Sequence, residues 1–291
     1  MFKRIGLFLL TNFAILMVFS MIINLLGIQP FITQNYGLNL GNLLAFCAIF
    51  GFLGSFISLA ISKWSAKFAT GAKVITNTSN ADETWLMDTV RRHAQKAGIG
   101  MPEVAIFPSS DMNAFATGMF RNSSLVAVSS GLLQRMQRNE IEAVLGHEIS
   151  HVANGDMITL SLIQGILNTF VMFFARIVGY VVDKAIFKSD RPGIGYMLTT
   201  IVAEIVFGIL AMIIVMWFSR RREYRADAGG AYLTSKDDMI AALQRLEQAQ
   251  DIKLPGQLNA FGIHGKKTGL SQLFMSHPPL QDRINALKAQ R

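Results

Sequence analysis

The chain has 291 residues, 51% of them hydrophobic and only 16% charged, with a formal net charge of +8. Together with a positive mean hydropathy, this balance excludes a disordered chain and argues against an ordinary soluble enzyme, which carries more charge on its surface. The single cysteine, Cys47, excludes an internal disulfide and fits a reducing compartment for the soluble part.

In chain order, the first element is an uncharged apolar block, Gly6–Ile28, preceded by Lys3 and Arg4. Its apolar run is longer than that of a signal peptide, and no Ala-x-Ala-like site follows at Gly27-Ile28-Gln29-Pro30, so it is read as an uncleaved anchor. A second uncharged block covers Leu38–Ser62. Residues 1–62 are thus expected to be two membrane helices, each longer than the roughly 20 residues a span needs.

Residues 63–156 read as soluble. Asp82–Gly98 has the pattern of an amphipathic helix carrying Trp85, Leu86 and Val90. Glu103–Phe107, Asn113–Ala116 and Ser124–Val128 read as short strands separated by Pro, Ser, Gly and Asn. A strand at the edge of such a sheet can accept an extended peptide, and Asn113, Ala114 and Phe115 are the candidates for substrate binding; an ordinary interior strand is the alternative. Gly131–Met136 precedes a longer helix that starts with Asn139 as the expected cap and ends at Asn154-Gly155.

That helix carries His147-Glu148-Ile149-Ser150-His151. Residues four apart on a helix share a face, so His147 and His151 can hold one Zn²⁺, and Glu148 is placed to act as a general base on a water at the metal. Ile141, Val144, Leu145, Ile149 and Val152 form an apolar stripe that leaves the histidines turned toward a cleft. A hydrolytic zinc site needs a third protein ligand. His93, His264, His277 and the acids Glu223 and Asp227 are all open candidates. Glu223 and Asp227 share a helix face, so one can ligate while the other orients a ligand.

Residues 157–219 read as a membrane hairpin. Met157–Val182 contains one charge, Arg176, and Gly193–Ser219 contains one, Glu204. Folding the hairpin near residue 188 places Arg176 opposite residue 201, about 4.5 Å along the axis from Glu204. An ion pair within the hairpin is one expectation; separate contacts with water or headgroups are the other. Residues 220–291 complete the soluble part: Glu223–Leu233, a helix begun by Ser235 with Asp238, a loop-rich stretch over Gln248–Ser276, and a closing helix over Pro278–Gln290. The expected fold class is α+β, with about four membrane helices and a zincin-like domain.

Lys3 and Arg4, Lys63, Lys67 and Lys73, and Arg220, Arg221, Arg222 and Arg225 all flank one side if the four blocks cross the bilayer. That side is cytoplasmic by the positive-inside tendency, which places both termini and the zinc motif in the cytoplasm. The loop Asp183–Arg191, with Lys184, Lys188 and Arg191 against Asp183 and Asp190, opposes this and leaves open a hairpin that does not fully cross. Attraction to anionic lipid accounts for the basic charge, and no nucleic-acid partner is expected. Arg135, Arg138, Glu140 and Glu142 make the motif helix too polar for an intramembrane protease.

Asn113-Ala-Phe-Ala, His147-Glu-Ile-Ser-His151, Glu223-Tyr-Arg-Ala-Asp227 and Ser276-His277-Pro278-Pro279 with Arg283, in this order, resemble the membrane-bound zinc metalloproteases that include bacterial heat-shock proteases and the CAAX prenyl-protein endopeptidases. The resemblance covers essentially the whole chain. It implies that Glu223 is the third ligand of one Zn²⁺, that Arg283 pairs with Asp227, and that the substrates are polypeptides, above all damaged or misassembled membrane proteins cut at the cytoplasmic membrane under stress. The CAAX enzymes have more spans than the four at most found here, which argues against prenyl-protein processing. An inactive scaffold of the same fold is the rival reading, against which the intact motif stands. Of the remaining donors, His277 is the candidate to help stabilise the oxyanion.

Overall fold

The computed structural model describes Leu25 and residues 39–188, 193–252 and 273–290, so the first apolar block and His264 lie outside the described residues. The described elements are α1 (Leu40–Thr70), β1 (Lys73–Val74), α2 (Ala81–Ala97), β2 (Glu103–Phe107), β3 (Ala114–Phe120), β4 (Ser123–Ser129), α3 (Ser130–Arg135), α4 (Arg138–Asn154), α5 (Asp156–Ala185), α6 (Ile194–Leu233), α7 (Lys236–Ile252) and α8 (Leu280–Ala289). They fall into two compact units, one of residues up to Ile57 with Thr159–Val215, the other of Ser58–Ile158 with Met216–Arg291.

In the first unit, α1, α5 and α6 are long and apolar enough to cross a membrane. Small residues bring α1 and α5 together: a Cβ on Gly51 would sit 2.8 Å from the Thr169 backbone nitrogen, and one on Gly165 would sit 2.8 Å from the Phe52 ring. In lipid, where apolar burial drives little association, such close backbone packing supplies the contact. Phe173 is buried with Leu40, Leu44 and Cys47 beside it. Asp183 Oδ1 accepts a hydrogen bond from the Tyr196 N–H at 2.9 Å, and Oδ2 one from Gly193 at 3.3 Å. This acid, in the last turn of α5, therefore caps the first turn of α6, where the helix dipole favours negative charge.

The two lone charges of the hairpin meet. Arg176 Nη1 lies 3.4 Å from Glu204 Oε1 and 3.2 Å from the Met172 carbonyl, and the guanidinium stands over the Phe46 ring at 5.6 Å. Arg176→Ala and Glu204→Ala singly should each cost stability, and the sum of the two should exceed the cost of the double change by on the order of 1 kcal/mol. A thermal-stability cycle in detergent and in lipid nanodiscs measures this coupling, and strictly additive effects in both would rule the pair out.

In the second unit, the sheet has the order β1-β2-β4-β3, with β2 and β4 parallel and the other pairs antiparallel. Side chains alternate between its faces. Val104, Val126 and Val128 pack beneath α2, α4, α7 and α8, in one core with Leu86, Leu145, Ile149, Leu243 and Ile284. Ala105, Phe107, Leu125 and Ala127 form the opposite face with Phe115. β3 is an edge strand. Lys63 and Lys67, at the end of α1, both close on Glu103 of β2 at 2.6 and 3.0 Å, partly exposed pairs worth at most about 1 kcal/mol each.

The helix ends differ from expectation in instructive ways. Asn80 caps α2 by accepting from the Glu83 N–H at 2.8 Å, slightly ahead of the expected start. The expected cap Asn139 lies inside the first turn of α4 and donates instead to Asp238 Oδ1 at 2.8 Å. Gln137 takes the cap position, its N–H held by the Glu140 carboxylate at 2.8 Å. Gly155 ends α4 in the left-handed region at φ 70°, which glycine adopts without strain. Glu223–Leu233, expected as a separate piece, is the continuation of α6. Ser235 and Asp238 start α7 as the pattern predicts, with the Ser235 hydroxyl donating to the carboxylate at 2.6 Å.

Candidate metal centre

Two glycines set the position of the site. A Cβ on Gly230 of α6 would stand 3.0 Å from the His147 backbone nitrogen, and one on Gly229 would strike the Ser150 side chain. With no side chains there, α6 lies directly on the middle of α4. Glu223, two helical turns before Gly230, then projects beside the two histidines of α4.

Three ligand atoms converge, all within 4.8 Å of one another. His147 Nε2 and His151 Nε2 are 3.1 Å apart, Glu223 Oε1 lies 3.3 Å from the His151 nitrogen, and Oε2 lies 3.6 Å from the His147 nitrogen. Ligands held at about 2.0–2.1 Å around a tetrahedral metal stand about 3.3–3.4 Å from each other. The residues present therefore fit a tetrahedral cation, with nitrogen and carboxylate donors of the kind zinc takes.

The outer ring nitrogens are also engaged. His147 Nδ1 is 2.9 Å from Asp227 Oδ1, and His151 Nδ1 is 2.6 Å from Asp156 Oδ2. Each carboxylate fixes the tautomer that turns Nε2 inward. Arg283 grips Asp227 with two hydrogen bonds, Nε to Oδ2 at 2.8 Å and Nη2 to Oδ1 at 2.6 Å, and its Nη1 stands 3.4 Å from Glu223 Oε2. Asp156 is 1% exposed. Burial disfavours the His151 imidazolium, yet hydrogen bonds to Asp156 and Glu223 outweigh it and raise the pKa to about 9. At His147 the bonds to Asp227 and Glu223 also prevail over burial and move its pKa up. Both shifts have the same cause, carboxylates that stabilise positive charge at the two rings.

Glu148 lines a cleft of about 500 Å³ together with His147, Glu223, His277, Asn113 and Ala114. Ala114 faces the helices, whereas Phe115 turns to the other face of the sheet and stacks near Phe107, ring centres 5.5 Å apart. The Asn113 N–H and carbonyl are bonded to Ser129, so its main chain points into the sheet. His277 is placed with Nδ1 2.6 Å from Glu223 Oε2, against the carboxylate of the candidate ligand. His93 is buried in α2, its Nε2 3.1 Å from the Glu142 carbonyl, and is not part of the cluster.

Asp156 and the Gly229-Gly230 pair were not singled out from sequence. The available signal for Asp156 was an acid just after the glycine that ends the motif helix, at the head of an otherwise apolar block. For the glycines it was a pair inside a helical pattern, which costs helix stability unless a close approach requires it.

The family model described as Peptidase family M48 matches residues 80–291. The chain is 60% identical over 289 residues to Protease HtpX of Hydrogenovibrio crunogenus, covering 99% of this chain and 97% of that protein. It is 58% identical over 292 residues to Protease HtpX homolog of Nitrosomonas europaea, covering 99% and 100%. Among solved structures, S. mikatae Ste24p superposes with a TM-score of 0.63 at 17% identity, covering 94% of this chain and 67% of that one, a likeness of fold.

Proposed function

The chain belongs to peptidase family M48, and from that premise we propose that it is a zinc-dependent endopeptidase of the cytoplasmic membrane that cuts damaged or misassembled membrane proteins at the cytoplasmic face. The observation that carries it is the convergence of His147, His151 and Glu223, whose ligand atoms lie within 4.8 Å of one another.

In this reading, zinc is held by His147, His151 and Glu223, one ion per chain. When bound, zinc supplies Lewis-acid polarisation of the scissile carbonyl and lowers the pKa of water to about 7. Glu148 accepts a proton from the attacking water and delivers it to the leaving amine. His277 donates its Nδ1–H to Glu223, and in its doubly protonated form it also offers an Nε2–H to the oxyanion. Asp227, Asp156 and Arg283 hold the ligands in orientation. The edge position of β3 supports a substrate peptide laid along Asn113, Ala114 and Phe115, with Ala114 on the cleft side and with main-chain hydrogen bonds from residues other than Asn113, whose N–H and carbonyl are taken by Ser129.

Orientation has its own test. A cysteine placed at Asn35 in a Cys47→Ser background should react with an impermeant thiol reagent added outside intact cells, while one at Gln250 should not. The reverse pattern would overturn a cytoplasmic site.

A further inference from the structure

The basic run that follows the apolar stretch of α6 divides its charges between two places. Arg222 Nη1 reaches the Asp156 carbonyl at 3.4 Å, and Arg225 Nη2 stands 3.6 Å from the Asp156 carboxylate. Arg220 and Arg221 instead line a separate cavity of about 680 Å³, together with Trp217 and Tyr224 of the same helix and Asp282 of α8. Arg220 Nη1 donates to the Leu273 and Met275 carbonyls at 3.1 and 2.8 Å, and Arg221 Cζ stands 5.0 Å over the Trp217 ring. These partners are neutral, so among the described residues neither guanidinium has its charge matched by an ion pair.

Charge, place and approach define what fits this cavity. Two arginines stand against one acid, Asp282, so its charge is positive. A guanidinium presents a planar fork of N–H donors that matches phosphate oxygens, and Arg220 spends only Nη1 on the carbonyls. The place is the membrane boundary: Gly193–Ser219 is the apolar block, and Arg220 is the next residue of the same unbroken helix. Tryptophan and arginine at such a boundary sit at the level of lipid headgroups. The approach is apolar. Leu210, Ile214, Trp217 and Arg221, spaced four, three and four residues apart, share one face of α6, so a hydrocarbon chain along that face leads to the guanidinium. A free phosphate uses only the charge; an anionic phospholipid uses all three.

The cavity shares a wall with the cleft of the metal centre. Met275, Pro278 and Pro279 line both. His277 lies inside that segment, with Nδ1 2.6 Å from Glu223 Oε2. We propose that the cavity binds the phosphate of an anionic phospholipid, with Arg220 and Arg221 as donors, and that the bound headgroup steadies, through Arg220, the segment that sets His277 against Glu223. Peptide cleavage is then coupled to the charge of the lipid around the protein.

The test uses the full zinc-loaded chain in micelles of a neutral detergent, with phosphatidylglycerol or phosphatidylcholine added. Native mass spectrometry measures the lipid retained, and hydrogen exchange reads the amides of residues 273–277. The parent protein should hold phosphatidylglycerol at least about tenfold more tightly than phosphatidylcholine, and exchange should slow with the anionic lipid alone. Arg220→Gln combined with Arg221→Gln should abolish that preference. Lys73→Gln with Arg135→Gln removes the same charge from two exposed positions outside the cavity and should preserve it. Casein cleavage should rise severalfold with phosphatidylglycerol in the parent and in this control pair, and stay level in the Arg220, Arg221 variant. Equal retention of the two lipids by the parent would overturn the site whatever the variants do. An equal loss in the control pair would reduce it to general attraction by a basic surface, and displacement of the lipid by millimolar inorganic phosphate would make it a free-phosphate site; either result sinks the proposal. Retained lipid with unaltered exchange would overturn the link to His277. Retention and exchange do not depend on turnover, so a chain that passes both and cuts nothing supports this inference and sinks the endopeptidase reading instead.

Discussion

Glu148→Gln should lower peptide cleavage by at least about 10²–10⁴-fold, the contribution of a positioned general acid–base, and leave about one zinc per chain, the occupancy of a single three-ligand site. The amide has the shape of the carboxylate, so α4 and its core contacts stay as they are. None of the three converging ligand atoms is altered. Apart from Glu148 and Glu223, no other carboxylate among the described residues lines the cleft, so no neighbour can take over as base. Because binding survives and chemistry does not, this variant should also retain its substrates. Proteins recovered with it from membranes should be enriched in membrane proteins, and more so after heat stress. Metal analysis and casein digestion on the same preparation read the two halves of the prediction. Full activity would remove Glu148 from the mechanism.

Glu223→Ala should lose both zinc and activity. The carboxylate supplies the third ligand atom, and two imidazoles alone bind zinc far more weakly. Its removal also takes away the partner of His277 Nδ1 and a neighbour of Arg283. A comparison variant separates ligation from support. Asp156→Ala keeps all three ligand atoms and removes the acceptor at His151 Nδ1 together with a looser contact to Arg225 at 3.6 Å, so zinc affinity should fall about 10–100-fold rather than vanish. Competition with a calibrated chelator gives both values. Stoichiometric zinc in Glu223→Ala would move the third ligand to His277, Asp227 or His264.

These roles were legible in the sequence to different depths. His147 and His151 could be read because helical periodicity fixes the distance between residues four apart, whatever the rest of the fold does. Glu223 could be placed on a helix but not against α4, since that approach depends on Gly229 and Gly230, whose role is set by a neighbouring backbone. Asp156 was hidden for a related reason: the turn at Gly155 carries the chain back onto His151, and spacing along one helix does not describe a chain that changes direction. The strands β2 and β4 followed from β-branched runs, whereas β1, only two residues long, has no periodicity to detect. Asn139 has the chemistry of a helix cap, but Gln137 and Glu140 satisfy the helix start two residues earlier and leave Asn139 free to bond Asp238. The continuity of α6 into the Glu223 segment was missed because its composition changes at Arg220-Arg221-Arg222 from apolar to basic. That change marks the end of the membrane segment and not the end of the helix.

The central claim, that one zinc held by His147, His151 and Glu223 makes this chain a peptidase, is tested most directly by removing and restoring the metal. Purified protein should lose casein cleavage on treatment with a strong chelator. Titration with zinc should restore cleavage in proportion to bound metal, with full activity at about one ion per chain, as a single three-ligand site requires. Undiminished cleavage by protein shown to be free of metal, or no recovery at one bound zinc in a chain that remains folded, would contradict it.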